Sequence, residues 1–346
     1  SRAALLQSCS ADTPAEQKQT VRKELHFKKE QFCELDIPGK VTTLNEYYQP
    51  KGSENVYFLD PVNFGLRILN VGDQTFRLAG VLPDLTPEWE GVFTVDEKAK
   101  RVHVFYNDSV VDFNLQGKRV SSTPIPDGDG FIYASGRFFP PVFKNGKLYI
   151  SYFPDPANSF KNPEYFNASV EAEVDLGTQQ VKLLKQSYPA TYREHCYSFG
   201  YQARRIEINN EVHGYVFPYV DSIYFTDLKT GKQWTRFFGV RKRPKFAHIP
   251  YAELPSLNNS VMIELVKANP EYNFLYSTPM SGYYLRELLI KPKNDGDEFV
   301  QNVALFDKDF NYLGETNELQ LLIDSHDGLL TVEYRSDKLI LNKLSW

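Results

Sequence analysis

The chain has 346 residues, 42% of them hydrophobic and 24% charged, the proportions of a globular protein and not of a disordered one. Its 39 Lys and Arg against 44 Asp and Glu leave a net charge of -5, which argues against non-specific binding to nucleic acid or to an anionic membrane. Aromatic residues reach 14%, while 20 Gly and 21 Pro are scattered as turn punctuation, a usage that suits many short strands.

The sequence opens Ser1-Arg2-Ala3-Ala4-Leu5-Leu6-Gln7-Ser8-Cys9, an arginine and a short apolar run of the kind that ends a secretory signal. Leu6 to Cys9 resembles a bacterial lipobox, in which the cysteine after a small residue is acylated once the signal is cut. Gln7 departs from the small or apolar residue usual in that motif. Cys9 is therefore the expected lipidation site, against the plain alternative of a frayed terminus with a chance cysteine. The polar stretch that follows makes 1–18 a signal remnant and tether, and 19–346 a single domain. No later stretch approaches the roughly 20 apolar residues that span a bilayer, so membrane contact is expected only through the lipid. Cys33 and Cys196 are too few for a disulfide framework; buried thiols are expected, with a mutual pair as the alternative.

Strand patterns then recur in sets. Asn55 to Leu59 and Phe64 to Leu69 belong to the first set. Gly91 to Val95, Arg101 to Tyr106, Val110 to Leu115 and Lys118 to Thr123 make a second, a four-stranded meander. The third is Phe138 to Phe143, Lys147 to Phe153, Ala168 to Leu176 and Gln180 to Lys185, with Asn145-Gly146 as a hairpin turn. Ala203 to Ile208, Val212 to Pro218, Ser222 to Asp227 and Lys232 to Phe237 follow, then Tyr272 to Ser277, Tyr283 to Ile290, Gln301 to Phe306 and Phe310 to Glu315. The last set, Leu319 to Asp324, Gly328 to Tyr334 and Lys338 to Leu344, lacks a fourth strand. Six modules about 40 to 55 residues apart predict an all-β, six-bladed β-propeller. Gln19 to Phe27 is the predicted donor of the missing strand, pairing with Lys338 to Leu344 and closing the ring so that no terminal edge is left open. The alternative for Thr20 to Leu35 is an amphipathic helix, and for the whole chain a β-sandwich, whose Greek-key crossovers fit the repeated meanders less well.

The same blade phrases resemble a known group. Asn145-Gly146-Lys147-Leu148-Tyr149-Ile150, Tyr283-Tyr284-Leu285-Arg286, Val303 to Phe310 and Asp327-Gly328-Leu329-Leu330, together with the lipobox-like start, resemble the TolB-like six-bladed β-propeller lipoproteins of Bacteroidetes, a family of unknown function. The likeness covers roughly Thr20 to Trp346. It implies an exported, lipid-anchored propeller in the periplasm or at the outer-membrane surface, and supplies no catalytic residues.

Motifs for chemistry are few. There is no GxGxxG, P-loop, HExxH or GxSxG, so no cofactor, resident metal or nucleophile is expected. Pro126-Asp127-Gly128-Asp129-Gly130 and Asn294-Asp295-Gly296-Asp297-Glu298 lack a full calcium ligand set and read as loops. Asp324-Ser325-His326-Asp327 reads as a strand turn rather than a general base, and Arg241-Lys242-Arg243-Pro244-Lys245 as a solvated basic loop.

Long connections are the more informative feature. Pro154 to Asn167, Gln186 to Gly200 and Gly239 to Glu271 would all emerge on one face of the propeller, and long loops tend to carry function. They bring Phe160, Tyr165, Phe166, Tyr192, Arg193, His195, Tyr197, Arg243, His248 and Tyr251, with Arg137, toward one rim. Rings beside Arg and His suit recognition of a glycan, a peptide or a partner protein, though any one aromatic could simply pack its loop down. The expectation is a non-catalytic binding module, monomeric, binding no nucleic acid. The alternative is a hydrolase or lyase acting on carbohydrate or another small molecule at the central channel, with Arg137, His195, Arg204 and Glu207 as contributors.

Overall fold

The computed structural model describes residues 24–44, 46–86, 92–106, 108–126, 130–133, 139–144, 146–154, 162–197, 203–237, 246–256, 271–290, 300–317 and 322–346. These residues form six antiparallel sheets around a ring, a six-bladed β-propeller. Blade 1 contains Tyr47–Tyr48, Asn55–Leu59, Gly65–Asn70 and Thr75–Val81 from the axis outward. Blade 2 contains Phe93–Asp96, Arg101–Phe105, Ser109–Asn114 and Arg119–Pro124 in the same order. Blade 4 (Arg204–Glu207, Val212–Val216, Ser222–Asp227, Gln233–Phe237) and blade 5 (Glu271–Thr278, Tyr283–Ile290, Val300–Asp307, Tyr312–Thr316) repeat the pattern.

Burial follows position in the blade. A middle strand such as Asn55–Leu59 or Arg101–Phe105 has neighbouring blades on both faces and is buried almost continuously, and in Asn55–Leu59 the residues after Asn55 are accordingly all apolar or aromatic. The outer strands Thr75–Val81 and Arg119–Pro124 lie where blades diverge, and are largely exposed. The core is accordingly a ring of seams. Tyr57, Leu66, Val102 and Phe113 fill the seam between blades 1 and 2, Val216, Phe225 and Phe306 that between 4 and 5, and Val56, Leu69, Leu330 and Leu341 that between 6 and 1.

Blade 3 differs from the expected Phe138 to Phe143 inner strand. Its inner position is split: Gly130–Tyr133 pairs with the far half of Lys147–Pro154, and Val142–Lys144 with the near half. Pro140 and Pro141 stand just before the second piece, and a residue without an N–H cannot continue the ladder. Glu171–Asp175 and Gln180–Leu183 complete the blade.

Blade 6 is closed by the N-terminal part of the chain. Leu322–Ser325, Gly328–Arg335 and Lys338–Ser345 are joined on the outside by Lys28–Asp36, in register from Lys28 opposite Ser345 to Asp36 opposite Lys338, with a bulge between Gln31 and Cys33. The expected partner is the observed one, but the closing strand lies C-terminal to the expected Gln19 to Phe27, and Lys28–Asp36 is a strand and not the alternative helix. Lys28, Lys29, Glu30 and Gln31 are exposed, and charge of this kind suits an outermost strand. Leu25 serves a different purpose. It is buried with Leu285, Leu305, Leu329 and Leu344 between blades 5 and 6, and its N–H donates to the Glu315 carbonyl at 2.8 Å. Cys33 and Cys196 do not pair; Cys196 is buried as expected, whereas Cys33, on the outermost strand, is only half-buried. No helix among the described residues is long and apolar enough to cross a membrane.

Candidate functional site: the loop face over blades 3 and 4

An up-and-down meander places the turns between first and second strands on one face of the ring, the turn face. The connections between second and third strands, and those between blades, lie on the other, the loop face. The long connections 155–170, 184–203 and 238–270 all leave from the loop face around blades 3, 4 and 5.

Their described parts form a roof of short elements. A 3-10 turn, Pro163–Asn167, is started by Asn162, whose side chain accepts from the Glu164 N–H, and by a proline at its first position. A single helical turn, Thr191–Glu194, leads into His195–Cys196, which pairs antiparallel with Ile249–Pro250 from the next long connection. A second 3-10 turn, Tyr251–Ser256, follows directly. Two connections far apart in sequence are thereby tied together by a two-stranded ribbon.

Aromatic side chains bind the roof to the blades. Tyr188 packs on Phe166, Tyr192 and Phe217 with ring centroids 5.1, 5.6 and 5.3 Å away, and Tyr197 stacks on Tyr219 at 5.2 Å. The Tyr192 hydroxyl accepts from the Tyr219 N–H at 3.1 Å, and the Tyr251 hydroxyl donates to the Tyr192 carbonyl. Burial pushes the Tyr192 and Tyr251 phenols well above the usual tyrosine range, so both remain protonated.

The roof brings together Tyr192, Arg193, His195, Tyr197, His248 and Tyr251 from the expected rim. They do not play one part. Tyr192 and Tyr197, which the sequence leaves open between rim and packing, are only 2% and 8% exposed, and Tyr165 and Phe166 are buried with them. They pack the connections onto blade 4, because large rings bury enough area to fix segments that have no ladder of their own. His248 is exposed, and Arg193, His195 and Tyr251 are half-buried. The His195 and His248 rings lie 4.0 Å apart at 33°, and Arg193 donates to the Tyr188 carbonyl at 3.3 Å. Arg137, Phe160 and Arg243, the basic run 241–245 and both acidic Gly-containing segments fall wholly or largely outside the described residues, as does Cys9.

Beneath the roof, the seam between blades 3 and 4 holds a charged cluster that sequence reading missed. Glu171, on the third strand of blade 3, is fully buried. Its carboxylate meets Arg205 Nε at 3.1 Å and His213 Nδ1 at 2.9 Å, and accepts from the Tyr215 hydroxyl. Arg205 lies over the Phe139 ring and donates to the Pro140 and Tyr149 carbonyls. Burial pushes the Glu171 carboxyl up, but His213 and Arg205 outweigh it and hold it below the usual range. The one sequence signal was the spacing of His213 and Tyr215, two apart on a strand and so on one face. Glu171 itself sits in Glu-Ala-Glu-Val-Asp, which reads as a strand turning its acids to solvent.

On the turn face, Asp324 accepts from the Met280 and Ser281 N–H groups, both at 2.8 Å, while Glu97 takes Ser53, Asn55 and Tyr57 from blade 1. Asp324-Ser325-His326-Asp327 is thus a turn that ties blades together, and Ser325 and the His326 N–H both donate to Glu54. Of the residues named for the channel, Arg204 is buried and Glu207 half-buried on the innermost strand of blade 4.

A six-bladed propeller with one face roofed by aromatic-rich connections is the class that this fold and site define. No family model matches the chain, and no curated protein does. Similar solved structures include a member of the DUF4221 family from Bacteroides vulgatus ATCC 8482, with 16% identity, a TM-score of 0.70 and coverage of 93% of this chain and 99% of that one. Another is a protein from Bacteroides fragilis NCTC 9343 described as exported, with 12% identity, a TM-score of 0.54 and coverage of 94% and 96%. At these identities the likeness establishes the fold alone.

Proposed function

We propose that this protein is an exported binding module whose loop face, over blades 3 to 5, takes a glycan, a peptide or a segment of a partner protein. One observation carries the reading: His248, His195, Arg193 and Tyr251 form an accessible rim on a platform that Tyr188, Tyr192, Tyr197, Phe217 and Tyr219 hold rigid. A rim fixed before binding loses little conformational entropy when it engages, and imidazole, guanidinium and phenol groups supply stacking with directional hydrogen bonds. Export and lipid anchoring through Cys9 belong to the same reading, supported by the lipobox-like start and by the description of one structural neighbour as exported.

The test is a glycan and peptide array probed with the purified protein, followed by His248→Ala and Arg193→Ala on any hit. Both variants should lose binding and keep the melting temperature, since their side chains are not core groups. Tyr192→Ala should instead cost about 3 to 5 kcal/mol of stability, as removing a buried ring does. Binding that survives both rim substitutions would refute the site. Anchoring is tested separately: Cys9→Ser should abolish fatty-acid incorporation and release the protein from membranes.

A further inference from the structure

The turn-face end of the central channel holds two lysines whose surroundings the binding role of the loop face does not explain. Lys51 stands on the turn between the first two strands of blade 1. Its Nζ donates to the Ile208 carbonyl at 2.5 Å and to the Glu207 carbonyl at 3.4 Å, at the end of the innermost strand of blade 4. Blades 1 and 4 are opposite in a six-membered ring, so this side chain spans the channel. Two of its three donors are used by the two carbonyls.

Lys144 approaches the same place from blade 3. The ring of Phe143 stacks face-on against His103 of blade 2, with centroids 4.8 Å apart at 8°. Successive side chains of a strand point to opposite sides, so Lys144 turns away from blade 2 and toward blade 4. Its Nζ is buried and has no hydrogen-bond partner among the described residues. A buried ammonium without an acceptor is one of the costlier arrangements a fold can hold, and it persists where an anion or another acceptor completes it. Burial holds Lys51 below the usual lysine range, and Lys144 adds to that while Glu207 opposes it, so the three groups share one field. Around them, Glu207 is the facing carboxylate, Arg205 is engaged by Glu171, and the buried Tyr48 phenol remains protonated. Asp96 and Glu97 of blade 2 act on Tyr48 as well, so the two ammonium groups stand among carboxylates, and what is unmet at this end is the hydrogen bonding of the Lys144 Nζ.

We propose that the turn-face end of the channel binds a small oxyanion, of phosphate or carboxylate type, between the ammonium groups of Lys144 and Lys51. The anion would accept from the buried Lys144 Nζ and from the remaining donor of Lys51. This site is separate from the loop-face rim, on the opposite side of the ring.

The experiment is calorimetric titration of the whole protein with inorganic phosphate, sulfate and acetate at matched ionic strength, with thermal unfolding in the same buffers. Saturable binding and a matching rise in melting temperature are expected, with phosphate and sulfate against acetate separating a tetrahedral from a planar preference. Lys144→Met should weaken binding by roughly thirtyfold or more, the loss of about 2 kcal/mol that follows removal of one partner of a buried charge pair. Lys51→Met should weaken it too, and His248→Ala on the loop face should leave it unchanged. If Lys144→Met does not fold, Lys144→Arg, which keeps the charge, should retain binding, and Lys51→Met should still lose it. No saturable effect beyond that of chloride, or binding unchanged in Lys51→Met and in whichever Lys144 variant lacks the charge, would overturn the proposal.

Discussion

Glu171→Gln offers the sharpest test of how the loop face is supported. The substitution keeps the shape of the side chain and removes its charge. Arg205 would stay buried at 0% side-chain exposure, having lost the carboxylate 3.1 Å from its Nε, with the Pro140 and Tyr149 carbonyls as the acceptors left to it among the described residues. His213 and the Tyr215 hydroxyl would lose a charged acceptor in the same step. Removing one partner of a buried ion pair costs about 3 to 5 kcal/mol, chiefly because the other charge is left uncompensated. The double variant Glu171→Gln/Arg205→Met removes both charges and should recover much of that loss. Urea unfolding measures this directly, as a lower midpoint at unchanged slope. The pH dependence has a definite sign. The Glu171 carboxyl is held below its ordinary value of 4.5, so its contribution is present above about pH 4.5 and is lost as pH falls through the folded-state value. The native protein should therefore lose stability on acidification below that point, and Glu171→Gln should lose less. A cost below about 1 kcal/mol for Glu171→Gln, or a double variant no better than the single one, would refute the view that this charge pair holds the seam.

Three further outcomes are expected. Deletion through Phe27 removes the buried Leu25 and should cost about 2 to 3 kcal/mol in chemical unfolding, whereas deletion through Asp36 exposes the whole edge of Lys338–Ser345 and should abolish soluble folded protein; equal stability of the two truncations would contradict the assignment of the closing strand. Gly117→Ala should be strongly destabilising, because its φ is +89° and an added Cβ would lie 1.7 Å from the Val81 carbonyl oxygen, while Gly52→Ala, at φ +73° with nothing within 4 Å, should cost only about 1 to 2 kcal/mol by thermal unfolding. Burial raises the Tyr192 and Tyr215 phenols above the ordinary value of 10.0, so their contribution is complete below that pH and is lost as pH rises beyond it; tyrosinate absorbance should then rise cooperatively with loss of near-ultraviolet dichroism, and a gradual titration of all tyrosines near pH 10 would contradict their burial.

The repeat of four-stranded sets was legible because a blade is a local object. Arg101 to Thr123 carries its own turns, and its strand pattern survives whatever packs against it. Closure was legible for a related reason: Lys338–Ser345 left an edge that only a distant strand could cover. Which residues would do so was not, since Gln19 to Phe27 and Lys28–Asp36 each carry three apolar residues in nine, and it is the packing of Leu25 between blades 5 and 6 that leaves the edge to Lys28–Asp36. The aromatic character of the long connections was plain, but its use was not. Tyr192 and His248 look alike in sequence as ring-bearing loop residues, and only the packing of Phe166, Tyr188 and Phe217 around the first makes it a buried support and leaves the second at the surface. Glu171 and Lys144 show the limit most clearly. A charge on a strand reads as solvent-facing, and what buries Glu171 is the neighbouring blade, whose Arg205 and His213 arrive from some 35 or more residues along the chain. Strand propensity and turn chemistry are properties of short segments, so the sequence alone determined the blades and their number. The pairing of buried charges depends on which faces meet when the ring closes, so only the tertiary structure decided it.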